Sequence, residues 1–427
     1  MFNGITTADL ATLISTGELG LVDLRSTEAY NGWVQPGERR GGHIRTARCL
    51  PAAWAEYLDW PEIIEAKGLR QDLPLVLYGS EERLEPVAAL FQRLGFEDVR
   101  LYRDFASRWT TDPSLPMDRL SRFRHLVSAT WLDRLLRTGT APEHDGRPVV
   151  VCHAHYRNPA DYAAGHIPGA VALDTNALES PETWNRRSPE EVLAVLTSLG
   201  ITRDTTVVLY GRFDTPRNED LFPGSAAGHL GAMRCAFIML WAGVEDVRVL
   251  NGGLLVWQSA GLPLRDDQVA PAPVASFGGT IPLRPELAVD LSEAQGMLAS
   301  PDANLVSVRS WREYIGEVSG YNYIEAKGRI PGSVFGNCGS DAYHMENFRH
   351  LDHTVREYHE VAAHLADLGI VPEAHNAFYC GTGWRGSEAF FNAWLMGWPR
   401  ASVFDGGWFE WSNAGLPYEV GEPGGKS

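Results

Sequence analysis

The run AFYCGTGWRGSEAFF, residues 377–391, decides how the chain is read. Ala377, Phe378 and Tyr379 have the apolar character of the end of a buried strand. Further on, EAFFNAWLM places Phe390, Phe391, Trp394 and Leu395 on one face at helical spacing. Cys380 therefore stands at the end of a strand and at the mouth of a helix. Between them Gly381, Thr382, Gly383, Trp384, Arg385, Gly386 and Ser387 make a glycine-rich turn that can aim backbone N–H groups inward, a concavity suited to an anion. A helix N-terminus and a nearby arginine both favour thiolate over thiol, and the thiolate is the nucleophile. A lone cysteine at a strand end is commonly no more than a small buried apolar residue. Such a residue needs neither a polar glycine loop nor Arg385, so the run points to sulfur chemistry or to the holding of an oxyanion.

Working outward, the same pattern recurs. Strand-like runs ending in tyrosine occur at LVLYGS (75–80), VVLYGR (207–212) and AFYCGT (377–382). Each is followed by a helical stretch closing on glycine and then by a further strand, and the last two copies end in Gly-Gly and a tryptophan turn. Upstream, each copy has an opening helix, a strand and a Gly-x-Ile turn, at Gly42-His43-Ile44, Gly165-His166-Ile167 and Gly328-Arg329-Ile330. Internal self-similarity of this kind marks repeated units. Short strands alternating with helices predict a parallel sheet covered on both faces, with sites at the carboxyl ends of strands. Proline-rich connectors at 110–123 and 263–286 divide the chain into three α/β domains, 1–118, 119–268 and 284–427, the second connector reading as a semi-rigid spacer. The repeat also acts as a control. Gly79 and Gly211 stand where the third copy has Cys380, and the second copy carries an insertion of about fifteen residues after that position. Only the third domain can do cysteine chemistry.

Composition excludes several classes. The net charge of −17 over 427 residues argues against nucleic acid as a partner, since phosphates would be repelled. Five cysteines without a C-x-x-C pair fit neither a disulfide framework nor a zinc site, so a reducing compartment is expected. No apolar run approaches the length of a membrane span, and the N-terminus lacks a basic region followed by an apolar core; no membrane association and a cytoplasmic location are the expectation. His359, Glu360 and His364 imitate a zinc helix, but the second histidine falls five positions after the first instead of four, and a solvated helix face is the simpler reading. No metal or cofactor is called for. Asp341, Tyr343 and His344 either line a pocket or cap a turn. Cys338 is either a resolving thiol or incidental, and Cys49, Cys152 and Cys235 read as core.

The residues now carry a resemblance. VDLRS followed by Glu-Ala-Tyr, GHIPGA, strand–Cys–loop–helix and DGGWFEW, three times in order with one nucleophile in the last copy, resemble the three-domain sulfurtransferases of the rhodanese family, the YnjE type. The resemblance covers nearly the whole chain. It implies a central parallel sheet flanked by helices in each domain and transfer of a sulfane sulfur through an enzyme persulfide. It assigns the persulfide to Cys380, the cradle for the outer sulfur to the amides of Gly381 to Gly386, and an anionic donor such as thiosulfate, or a protein persulfide, to the cationic Arg385. It implies a thiol or cyanide acceptor and makes Trp384 and Trp408 candidate pocket walls. The chain departs from the pattern at Ser307 and Arg329, and at Glu313, where mercaptopyruvate enzymes use an arginine, which argues against that donor. Two rivals are weighed. A cysteine phosphatase or arsenate reductase needs an arginine one residue later than Arg385, and a non-catalytic scaffold would have no use for the cysteine loop.

Overall fold

The computed structural model describes residues 2–57, 59–215 and 225–423. It contains three five-stranded parallel sheets. In the first, the strands are β1 (Asn3–Gly4), β2 (Gly20–Asp23), β3 (Arg48–Cys49), β4 (Leu75–Tyr78) and β5 (Val99–Tyr102), in the order β1-β5-β4-β2-β3. The second is built from β6 (Leu126–Val127), β7 (Val149–His155), β8 (Val171–Asp174), β9 (Thr206–Tyr210) and β10 (Asp246–Leu250). The third has β11 (Ala288–Val289), β12 (Ala303–Ser307), β13 (Val334–Phe335), β14 (His375–Tyr379) and β15 (Ala401–Phe404). Both repeat the first order, with the opening strand at one edge and the fourth strand in the centre. The tandem repeat seen in the sequence is thus a repeat of topology.

Central strands are buried on both faces, which is why they read as continuous apolar runs. Along β4, Leu75 and Leu77 enter one core cluster while Val76 and Tyr78 enter the other, the alternation of a pleated strand between two helical layers. The helices that follow the fourth strands are α1 (Glu81–Arg93), α2 (Ala227–Ala242) and α3 (Trp384–Leu395).

The chain forms two compact units, residues 1–124 and 125–427. The first holds one sheet and closes with a short antiparallel pairing of His43–Ile44 with Met117–Asp118. The second holds the other two sheets. There α2 and α3 pack against each other, with Phe237 and Phe390 edge to face at 5.6 Å. This explains why α2 is apolar all round: one side covers its own sheet and the other meets the third domain, so His229 to Ala242 are all buried.

One expectation changes. The connector at 263–286 is no spacer. Phe277 is buried, and the backbone is tied to the second domain by Val274 N–H to Thr197 O, Arg203 N–H to Phe277 O and Leu283 N–H to Ala242 O. Carbonyls exposed at helix ends give this extended segment partners, and one aromatic ring anchors it. The expected insertion in the second domain falls largely on residues 216–224, outside the described residues. We predict that Phe277→Ala lowers stability by about 3 kcal/mol in urea unfolding followed by tryptophan fluorescence, the loss of a buried ring; a free spacer would give none.

Candidate active site

β14 delivers Cys380 to the carboxyl end of the central strand of the third sheet, where it is 1% exposed. Its carbonyl accepts from Trp408 N–H at 2.9 Å, and the Gly381 carbonyl accepts from Phe409 N–H at 2.9 Å, so the loop is tied to the tryptophan turn after β15. Helix α3 begins at Trp384, four residues earlier than its apolar spacing suggests, with Gly383 as its cap. The loop is therefore short. Gly383 has φ of +87°, and a Cβ there would lie 2.8 Å from both the Arg234 guanidinium and the Asp405 carbonyl. Only glycine fits both the conformation and the space.

The loop amides are divided by this early start. Gly383, Trp384, Arg385 and Gly386 occupy the cap and first turn, whose N–H groups have no partner within the helix. Ser387 lies beyond them: its N–H and its hydroxyl both donate to the Gly383 carbonyl, at 2.8 and 2.7 Å. The Gly381 N–H donates to the Tyr321 hydroxyl at 3.1 Å, and the absence of a Cβ at Gly381 lets the Tyr321 ring lie directly on the loop. Ser387, expected within the anion-binding turn, is therefore withdrawn from it, and Gly381 contributes through Tyr321.

Arg385 is committed. Its guanidinium pairs with both oxygens of Glu313 at 2.7 and 3.0 Å, and donates to the Tyr321 hydroxyl, the Asp341 carbonyl and Cys338 Sγ. Arg385 and Glu313 are each 1% exposed. Burial alone would raise the Glu313 carboxyl, but the Arg385 guanidinium outweighs it and holds the group below the usual carboxylate range. This departs from the expectation of an arginine standing free to hold an anionic donor, because the charge is already neutralised. The replacement of an arginine by Glu313, visible in the sequence, is the physical reason. Trp408 departs as well. It is fully buried, donates to the Ala326 carbonyl and packs under Arg309, away from the cavity. Burial pushes the Cys338 thiol up to about 12, so it is a poor resolving nucleophile.

Cys380, Thr382, Trp384 and Arg385 open onto a cavity of about 310 Å³. The third domain adds Tyr321, Tyr323 and Tyr343; the second adds His155, Tyr156, Asn158, Asp161, Trp184 and Asp214. The walls are aromatic. Trp184 stacks on Tyr323 at 5.1 Å, and Tyr156 meets Trp384 edge to face at 5.6 Å. Burial holds the Tyr321 and Tyr323 phenols above their ordinary range, so both keep their protons. The second-domain residues were not singled out from the sequence. Their signals were present in CHAHY (152–156) and ETWNRRSP (182–189), but nothing in a linear reading says that these segments face Cys380.

This geometry is that of a cysteine-persulfide transferase, and comparison with known proteins agrees. The model of the rhodanese-like domain matches residues 6–112, 128–260 and 290–414, and the chain belongs to the rhodanese family. It is 39% identical over 410 residues to the thiosulfate sulfurtransferase YnjE of Escherichia coli, covering 94% of this chain and 89% of that one. Among solved structures, wild-type EanB is 56% identical, covers 99% of each chain and superposes with a TM-score of 0.95. The anaerobic ergothioneine biosynthesis enzyme of Chlorobium limicola, solved with its natural substrate trimethyl histidine, is likewise 56% identical with a TM-score of 0.95, covering 99% of this chain and all of the other. EanB variants have been solved with hercynine and with ergothioneine, in one case linked to a cysteine persulfide. The chain is thus a sulfurtransferase of rhodanese type, and no described helix is long and apolar enough to cross a membrane.

Two changes test this site. Glu313→Gln leaves a buried guanidinium without its counter-charge, and unfolding stability should fall by about 3 to 5 kcal/mol; a loss below 1 kcal/mol, the range of exposed pairs, would mean that the pair is not buried as described. Gly383→Ala should abolish turnover, measured as sulfur transfer, while unfolding in urea remains cooperative.

Proposed function

We propose that the chain carries sulfur as a persulfide on Cys380 and delivers it to the imidazole carbon of a histidine betaine bearing a trimethylammonium group. The observation that carries this reading is the cavity. Cys380 lies at the floor of an aromatic chamber shared by two domains, whereas a thiosulfate site calls for an unpaired cation at the cysteine loop. Tyr156, Trp184 and Trp384 offer ring faces, the surface that favours a quaternary ammonium. With Arg385 neutralised by Glu313, a doubly charged donor has little to hold it; a small sulfane-sulfur chain of low charge suits the site better, and a buried Cys380 disfavours a bulky protein donor.

The chemistry follows from the contacts. Cys380 thiolate attacks the outer sulfur of the donor and the donor's remainder leaves with the electron pair. The imidazole carbon then bonds to the terminal sulfur, the S–S bond breaks, Cys380 leaves as thiolate and the carbon gives up its proton. The Tyr321 oxygen accepts from both Gly381 N–H and Arg385, which directs its own proton toward the cavity, where it can donate to an imidazole nitrogen as charge develops. The kinship with EanB supports these roles: the tyrosine and the threonine replaced in its variants stand at the same sequence distances from the persulfide cysteine as Tyr321 and Thr382 stand from Cys380.

The test incubates the protein with inorganic polysulfide and trimethylhistidine and follows the thiolated imidazole by mass spectrometry. Product should form with wild type and not with Cys380→Ser, and Tyr321→Phe should lower kcat by about 100-fold or more, the scale of a lost general acid. Rapid thiocyanate formation from thiosulfate and cyanide, with no product from the betaine, would contradict the reading and favour the thiosulfate activity of YnjE.

A further inference from the structure

We propose that the buried Glu179–Arg234 pair of the second domain, whose loop has no nucleophile, is a positioning device that sets the two tryptophans walling the cavity over Cys380, one from each domain. Both side chains are fully buried and pair at 3.0 Å. Glu179 accepts the Trp384 indole N–H with both carboxylate oxygens, each at 3.0 Å, across the domain boundary. Arg234, on α2, donates to the main-chain carbonyl of Trp184 at 2.8 Å and reaches Asp405 of the third domain at 2.7 Å.

Each tryptophan needs such a partner. Trp184 is a non-glycine residue at φ of +62°, a conformation held only when its surroundings over-determine it. The turn that carries it is closed at its base by a bridge between Glu179 and Arg186, and its N–H donates to the Ser180 carbonyl at 2.8 Å. Trp384 leaves the catalytic loop and lays the edge of its ring over Gly231 of α2, where even a Cβ would come within 3.5 Å of the ring. The two indoles consequently stand 6.4 Å apart and 75° to one another. An apolar pair of the same volume could keep the domains together. It could not accept an indole N–H and donate to a strained carbonyl at the same time, so the pair's particular contribution is ring orientation. Burial also pushes the Glu179 carboxyl up to about 7, which fits a group enclosed by protein on every side.

The inference rests on the cavity being the acceptor's, so binding of trimethylhistidine to the wild type is measured first by calorimetry, on the full chain. Glu179→Gln, whose amide nitrogen cannot serve Arg234, should weaken that binding about tenfold, the size of one lost hydrogen bond. Trp384→Phe keeps the ion pair and removes the N–H; it should give a similar loss, and the double variant should be no worse than the weaker single. Persulfide loading of Cys380 by polysulfide should be unchanged in Glu179→Gln, which general damage to the fold would not allow. Losses that multiply in the double variant, or loading that falls in parallel with binding, would overturn the proposal. Failure of the wild type to bind would defeat the acceptor reading instead. In that event the indole N–H resonance that disappears in Trp384→Phe decides: it should move upfield in Glu179→Gln, and an unmoved resonance would overturn the pairing itself.

Discussion

Arg385 enters α3 on its first turn with both terminal nitrogens of its guanidinium committed, to Glu313, Tyr321, the Asp341 carbonyl and Cys338, and the site depends on that arrangement. A charge buried this deeply is tolerated only when it is paired and its donors are satisfied. Pairing it with Glu313 ties the catalytic helix to the segment after β12. Through the Tyr321 hydroxyl it also fixes the ring that lies on Gly381. The consequence is chemical. A cysteine loop whose arginine is neutralised loses the feature that would hold a sulfonate, and gains a phenol oxygen that accepts from both Gly381 N–H and Arg385.

The second domain takes its meaning from the same geometry. It has Gly211 where a nucleophile would stand, yet it supplies one wall of the chamber and most of the buried network behind Trp384 and Asp405. Packing α2 against α3 places the end of the second sheet, where Tyr156 follows β7, beside the end of the third. A domain with no nucleophile in its loop thereby shares in the cavity: the loop cysteine belongs to one repeat and the walls around it belong to two.

Much of this was legible in the sequence. The three α/β repeats, the parallel sheets and the single nucleophile follow from local runs, whose apolar period and glycine punctuation report local structure. Cys380, Thr382 and Trp384, which that reading named, line the cavity. What it missed are relations between segments. Trp408 lies in the DGGW turn and looked like a wall, but its ring points into the core beneath Arg309; a motif gives position and not direction. Arg385 looked free because Glu313 lies more than seventy residues away in sequence, and nothing local announces the pair. Trp184 and Tyr156 were not singled out because the domain packing that brings them to Cys380 has no signature in either segment. The connector was read from its prolines as a spacer, when one phenylalanine, Phe277, decides that it is docked.

The central claim is that sulfur passes from Cys380 directly to a carbon acceptor seated in the two-domain cavity. The most direct measurement is a single turnover with an isotopically heavy sulfane sulfur: load Cys380, remove the donor, add trimethylhistidine, and follow protein and small molecule together by mass spectrometry. The account predicts that the heavy sulfur leaves the protein and appears in the thiolated imidazole in equal amount. Heavy sulfur that stays on Cys380 in the presence of the betaine, and departs only when cyanide or a thiol is added, would contradict it.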